Sequence, residues 1–283
     1  MPELPEVETV RKGLAPVFAD NRIAHVHLAR PNLRFEFSEG FVETLNGALV
    51  VHLGRRAKYL LFELDNGQTL LSHLGMSGSF LALAPGEPEP EGRKSKHDHV
   101  VFELQDGSRV LYNDPRRFGF MLLFATEGLE NSKFLKDLGP EPVGNELSAA
   151  GLFQKMQRRT GPVKTALLDQ KLIAGLGNIY VCEALFRAKI HPQTRCCDLS
   201  ELQATVLVRH IRDVIRQAIE VGGSTLNDFS AADGALGYFQ HRFEVYDRAG
   251  DPCLAAKCTG MIARIVQAGR SSFYCPVCQN TEN

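Results

Sequence analysis

The 283-residue sequence predicts an α+β protein whose two kinds of element are segregated along the chain, with a small metal module at its end. Three observations carry this reading. Two Asn-Gly or Asp-Gly turn signals lie between strand-like runs in the first half, and a capped amphipathic helix follows in the second. Two close cysteine pairs then fall in the last thirty-odd residues.

The first element is a helix. Pro5 suits a first helical turn, and Val7, Val10, Leu14 and Val17 recur at spacings of three and four. Asp65-Asn66-Gly67 then separates YLLFEL from TLLSHL, and Asp106-Gly107 separates VVFELQ from RVLYND, giving two hairpins. Between these hairpins, residues Pro85 to Lys96 are rich in Pro, Glu and Lys and read as an exposed loop. The segment LGPEPVGNE, Leu138 to Glu146, reads as an interdomain linker. Beyond it Ser200 and Gln203 form a capping box ahead of a stripe of Leu202, Val206, Ile211, Ile215 and Ile219, and Gly222-Gly223 stops that helix.

Composition excludes several classes. Hydrophobic residues make up 44% and charged residues 23%, enough apolar material for packed cores. The longest apolar run, Phe120 to Ala125, falls far short of the roughly twenty residues that a membrane-spanning helix needs. The opening MPELPEVETV has no basic or apolar leader, so no signal peptide is expected and the chain reads as cytoplasmic. Thirty-two basic residues against thirty-three acidic ones give no global attraction to nucleic acid, so any polyanion must be met by local patches.

The cysteines are more specific. Cys253-x4-Cys258-x16-Cys275-x2-Cys278 fits a four-thiolate zinc ribbon, closed and therefore structural. The competing reading is four buried free thiols. Cys182, Cys196 and Cys197 are isolated and read as core or surface residues. Arg264 and Arg270 lie between the pairs, either as ordinary solvated charges or as guanidinium groups offered to phosphate. At the other end, removal of Met1 would leave Pro2 with a free secondary amine. An α-amino group titrates near pH ~8 against about 10.4 for lysine, so a useful fraction is a neutral nucleophile at pH 7. Glu3 and Glu6 beside it are candidates for moving protons. Many chains that begin Met-Pro put the proline to no such use.

Eight blocks in order lift the reading further. They are PELPEVETVRKGL, RRAKYLLF, HLGMSG, KHDH, DPRRFG, GLGNIYVCEALF, GGSTLNDF and GRSSFYCPVCQ. From Pro2 to Gln279 the sequence closely resembles the formamidopyrimidine-DNA glycosylase family, bacterial enzymes that remove 8-oxoguanine and ring-opened purines. The resemblance implies an N-terminal β-sandwich with a flanking helix (1–138), a linker (139–146), a helix-two-turn-helix domain (147–240) and a zinc-finger module (241–283). It implies Pro2 as Schiff-base nucleophile, Glu3 as proton donor, Lys58 in β-elimination and Arg270 in δ-elimination. Met76, Arg116 and Phe118 match the trio that fills the gap left by a flipped nucleotide, and His97, Lys164, Asn178 and Arg159 fall at or near positions of DNA contact. One structural Zn²⁺, damaged duplex DNA as partner, a monomer and a bacterial cytoplasm follow from the same resemblance.

The chemistry of the residues agrees. A stacked base must be extruded before it can be attacked, and the void calls for an apolar wedge and a donor to the orphan base. Core packing is the alternative for Met76 and Phe118. Asp114 is expected to pair with one of Arg116 and Arg117, Arg117 being the favoured partner, and the Gly175-Leu176-Gly177 turn before Asn178 offers backbone N–H groups to a phosphate. The first cysteine pair departs from the family's usual two-residue gap, which leaves the shape of that knuckle open. Two other functions remain: a glycosylase of the endonuclease VIII type acting on oxidised pyrimidines, and a zinc-ribbon DNA-binding protein without activity.

Overall fold

The structure is a computed structural model that describes residues 1–224 and 237–280. The chain divides into two compact units, Met1–Lys136 with Val221–Tyr238, and Asp137–Glu220 with Phe239–Asn283.

The first unit holds two four-stranded antiparallel sheets. One has the order β1 (Ile23–Leu28), β6 (Asp98–Leu104), β7 (Arg109–Asn113), β5 (Ser79–Leu83); the other runs β2 (Val50–Arg56), β3 (Tyr59–Leu64), β4 (Gln68–His73), β8 (Phe120–Ala125). Both predicted hairpins form, β3–β4 and β6–β7, and Gly67 and Gly107 adopt the positive φ their turns require. Alternation along β3 (Leu60, Phe62 and Leu64 buried, their neighbours less so) shows why each strand presents one face to a core. That core draws on both sheets: Val26, Phe80, Phe102 and Val110 from one, Leu53, Phe62, Leu70 and Met121 from the other.

Helix α1 (Leu4–Phe18) packs on it through Val7, Val10, Leu14 and Phe18. Phe18, rather than the expected Val17, completes the buried stripe, its ring meeting Phe62 edge-on at 5.4 Å. A short helix α2 (Phe41–Leu45) lies between β1 and β2. The Pro85–Lys96 stretch is mainly exposed, as expected.

The second unit contains α3 (Ala149–Gln157), α4 (Val163–Leu167), α5 (Asn178–Arg187), α6 (Glu201–Glu220) and a terminal hairpin of β9 (Ala263–Gln267) and β10 (Arg270–Tyr274). The capping box of α6 is present: Gln203 N–H donates to Ser200 Oγ and Ser200 N–H to Gln203 Oε1. The buried stripe of α6 differs from the expected one. It is Ala204, Leu207, Val208, Ile211, Val214, Ile215 and Ala218, while Leu202 is 73% exposed. An amphipathic helix carries apolar residues beyond its contact face, and only packing selects among them.

The residues expected as a linker are hydrogen-bonded into this unit. Gly139 N–H donates to Gln170 O and Ala174 N–H to Pro140 O. Gly222 and Gly223, both at positive φ, end α6 and turn the chain into the first unit, where Ser224 bridges to Tyr238. The rest of the GGSTLNDF block lies outside the described residues.

Candidate active site and metal centre

Pro2 precedes α1, Glu3 is its N-cap and Glu6 lies in its first turn, and all three are buried. Glu6 acts as a tie. One carboxylate oxygen accepts from Glu3 N–H at 2.9 Å, and the other accepts from Ser224 N–H at 2.8 Å and Ser224 Oγ at 3.0 Å. Gly223 lets this approach happen, since a Cβ there would press on the Glu6 carboxyl. Glu6 thereby fixes the N-terminal turn against the segment after α6.

Lys58 follows β2 in a turn where Ala57 takes a positive φ of 53°. Its side chain is 7% exposed. The turn is braced by Arg55, which donates to Ala57 O at 2.9 Å and pairs with Glu8 at 2.9 Å. Burial alone would raise the Glu8 carboxyl, but its hydrogen bonds to Arg11 and Arg55 hold it below the ordinary range.

A cavity of about 570 Å³ is lined by Met1, Leu33, Arg34, His73, Gly75, Met76, Arg116, Arg117 and Phe118. The wedge candidates therefore gather around one space that the N-terminal residue also borders. Met76 is 38% and Phe118 44% exposed, so core packing does not account for them. The Arg116 guanidinium lies 5.0 Å over the Phe118 ring. His97 is half-buried beside the Phe118 loop, its carbonyl accepting from Asp114 N–H.

Asp114 does not pair with Arg117. Its carboxylate accepts from Ser77 Oγ at 2.6 Å, Gly119 N–H at 2.8 Å and Tyr112 OH at 3.4 Å. Arg117 is exposed instead. A fully buried carboxylate can be held by convergent neutral donors, and sequence proximity to an arginine does not reveal them.

His73 and Arg34 were not singled out from the sequence. Burial, then the Lys58 and Arg34 charges, push the His73 imidazole down to about 4, so it is neutral at pH 7. Its Nδ1 accepts from Gly75 N–H at 3.0 Å, which leaves Nε2 as the protonated nitrogen. His73 sits in the HLGMSG block, and that position was the only signal available.

In the second unit two expected DNA-contact residues meet at Ser271. Lys164 Nζ and Asn178 Nδ2 each donate to the Ser271 carbonyl at 2.9 Å, directly after Arg270. Lys164 is fully buried there, so it supports the hairpin from within. Burial lowers its pKa most, with Cys182 opposing and Arg270 adding to the fall. Arg270 and Asn178 line a shared cavity with Arg264, whose Nε donates to Ser271 Oγ. Arg159 is held elsewhere, paired with Asp169 at 3.0 Å. Glu183 is a further residue the sequence did not flag: buried on α5, it accepts from the N–H groups of Glu244, Val245 and Tyr246.

The sulfur atoms of Cys253, Cys258, Cys275 and Cys278 all lie within 4.8 Å of one another. Ala255 N–H points at Cys253 Sγ and Gly260 N–H at Cys258 Sγ, donors that stabilise thiolate ligands. The longer first gap does not prevent convergence. Gln279 closes the second knuckle, accepting from Cys275 N–H and donating to Ile190 O. Four soft ligands arranged around one point fit a closed tetrahedral zinc site.

The comparisons agree with this geometry. Family models match residues 1–121 (formamidopyrimidine-DNA glycosylase N-terminal domain), 138–230 (formamidopyrimidine-DNA glycosylase H2TH domain) and 250–281 (zinc finger found in FPG and IleRS). A formamidopyrimidine-DNA glycosylase of Rhizobium leguminosarum bv. trifolii is 53% identical over 300 residues, covering 99% of this chain and all of the relative. The chain belongs to the formamidopyrimidine-DNA glycosylase family. A relative of the same name from Caulobacter vibrioides is also 53% identical, with the same coverage.

Among solved structures, a Lactococcus lactis FPG mutant in complex with Fapy-dG-containing DNA matches with a TM-score of 0.89 and 34% identity, covering 99% of this chain and all of that one. The Lactococcus lactis Fpg with abasic-site DNA gives 0.88, also at 34% identity and with the same coverage. As a member of the family, the chain is a DNA glycosylase with abasic-site lyase activity, and its four cysteines hold one structural zinc ion. Among the described residues no helix is long and apolar enough to cross a membrane.

Proposed function

We propose that this chain excises oxidised purines, 8-oxoguanine and formamidopyrimidines, from duplex DNA and cleaves the resulting abasic site by β,δ-elimination. The observation that carries this reading is the single cavity bordered by the N-terminal residue and by Met76, Arg116 and Phe118. A nucleophile at that end of the chain would lie beside side chains suited to filling a vacated base position.

With Met1 removed, the Pro2 nitrogen attacks C1′ of the extruded nucleotide and the base departs with a proton. The C1′–O4′ bond then breaks as O4′ takes a proton, opening the sugar ring, and the C1′–N bond becomes an iminium, which withdraws electrons and acidifies the C2′ proton. Loss of that proton expels the 3′ phosphate, and a second elimination expels the 5′ phosphate. Glu3 supplies protons next to the amine, Lys58 assists the first elimination, and Arg270 assists the second and holds phosphate. Glu6 serves by position, since its oxygens already tie Glu3 to Ser224. His97 and Asn178 meet the DNA directly, and Lys164 acts by supporting Ser271. Arg159 reaches phosphate only by leaving Asp169. The zinc keeps the β9–β10 hairpin stiff, and the enzyme works in the bacterial cytoplasm as a monomer.

Borohydride trapping tests the reading. The protein should form a covalent adduct with duplex DNA carrying 8-oxoguanine and with an abasic duplex. An adduct with oxidised pyrimidines only would move it to the endonuclease VIII type, and no adduct at all would leave a DNA-binding protein.

A further inference from the structure

We propose that Ser77 and Asp114 are positioning residues that lock Met76, Arg116 and Phe118 into one wedge before DNA arrives. The inference rests on the wedge reading given above and extends it.

The three wedge residues come from two separate loops. Residues 74–78 join β4 of one sheet to β5 of the other, and residues 114–119 join β7 of the second sheet back to β8 of the first. Two crossovers between the same pair of sheets thus run side by side. Connecting loops ordinarily move independently, and ordering them on binding would cost affinity.

Here they are tied together. Ser77 Oγ donates to Asp114 Oδ1 at 2.6 Å and also accepts from Arg116 N–H at 3.2 Å. The second Asp114 oxygen accepts from Gly119 N–H, the residue after Phe118. Tyr112 OH reaches the same carboxylate from the core, and His99 Nε2 lies 3.0 Å from the Asp114 carbonyl. Ser77 is 5% exposed, while Asp114 and Tyr112 are fully buried.

The contact also excludes alternatives sterically. Gly75 sits at a positive φ of 64° with its Cα against the Phe118 and Gly119 backbone, and a Cβ there would collide with both. Gly119 is pressed against the Tyr112 hydroxyl in the same way. One hydroxyl and one carboxylate thereby fix the backbone next to all three wedge side chains, yet neither reaches the cavity lining.

The test compares single-turnover excision of 8-oxoguanine with cleavage of a preformed abasic duplex. Ser77→Ala should slow excision about tenfold, the order expected from losing a buried hydrogen bond, and slow abasic cleavage much less. Its loss should be less than additive with that of Arg116→Ala in the double variant, because Ser77 acts in part through Arg116. Tyr112→Phe should shift the same ratio in the same direction by a smaller factor, and it serves if Ser77→Ala does not fold. Equal losses on both substrates, full additivity with Arg116→Ala, or wild-type ratios in both Ser77→Ala and Tyr112→Phe would overturn the inference. If Arg116→Ala and Phe118→Ala excise normally, the wedge reading itself fails. If those two are impaired while the Ser77 and Tyr112 variants match wild type, only the positioning role fails.

Discussion

In the first unit the exposed residues of the candidate site ride on loops anchored in a large apolar core built by both sheets and α1. In the second unit Arg270 rides on a two-stranded hairpin whose local core is small: Phe186, Val245, Ile262 and Phe273 with Cys182, Cys253 and Cys275. Two strands alone are marginal in water, so here ligand bonds to a metal replace buried area. The difference teaches where each unit is vulnerable. Losing one side chain of the sandwich leaves its shape intact, whereas losing one thiolate removes the shape itself.

The largest expected effect breaks chemistry without touching either scaffold. Protein that retains Met1 has an amide at Pro2, so excision and the borohydride adduct should both vanish while DNA binding persists. Gel-shift and trapping assays on the same sample separate the two.

Next comes the metal. Elemental analysis should find about one zinc per chain, and Cys275→Ser should unfold the ribbon, given the roughly 10–16 kcal/mol that structural zinc contributes in small modules. DNA affinity should fall, but the near-ultraviolet signal of the sandwich should survive. Simultaneous loss of both would show that the two units are not independent.

A milder change sharpens the role of the hairpin. Arg270→Ala should lower the slope of log affinity against log salt by about one phosphate contact. Lys164→Met should act indirectly, loosening the Ser271 carbonyl, and should lower activity with the slope little changed.

The smallest effect concerns pH and belongs to the sandwich alone. His73 has a folded pKa of about 4, below its unfolded value, so the unfolded chain takes up the proton first as pH falls. Its contribution is complete above about pH 6.5 and is lost as pH drops toward 4, with a slope of at most ~1.4 kcal/mol per pH unit. His73→Gln should flatten that part of the curve, measured as urea midpoints between pH 4 and 7. His99, also lowered chiefly by burial, retains its own share.

The sequence by itself determined the segregated α+β order, both Gly-containing hairpins, the α6 cap and the four metal ligands. Each of these is written in local spacing, because turns, caps and cysteine knuckles are set by a few neighbouring residues. Tertiary structure decided the rest. Nothing local says that Asp114 is held by Ser77 and Tyr112 rather than by Arg117, or that Glu6 reaches Ser224, more than two hundred residues away. The same holds for Lys164 and Asn178 meeting at Ser271, for His73 joining the wedge cavity, and for the choice of Phe18 over Val17. A buried polar group must find partners wherever the packed chain supplies them, so its role depends on three-dimensional neighbours that residue spacing does not encode.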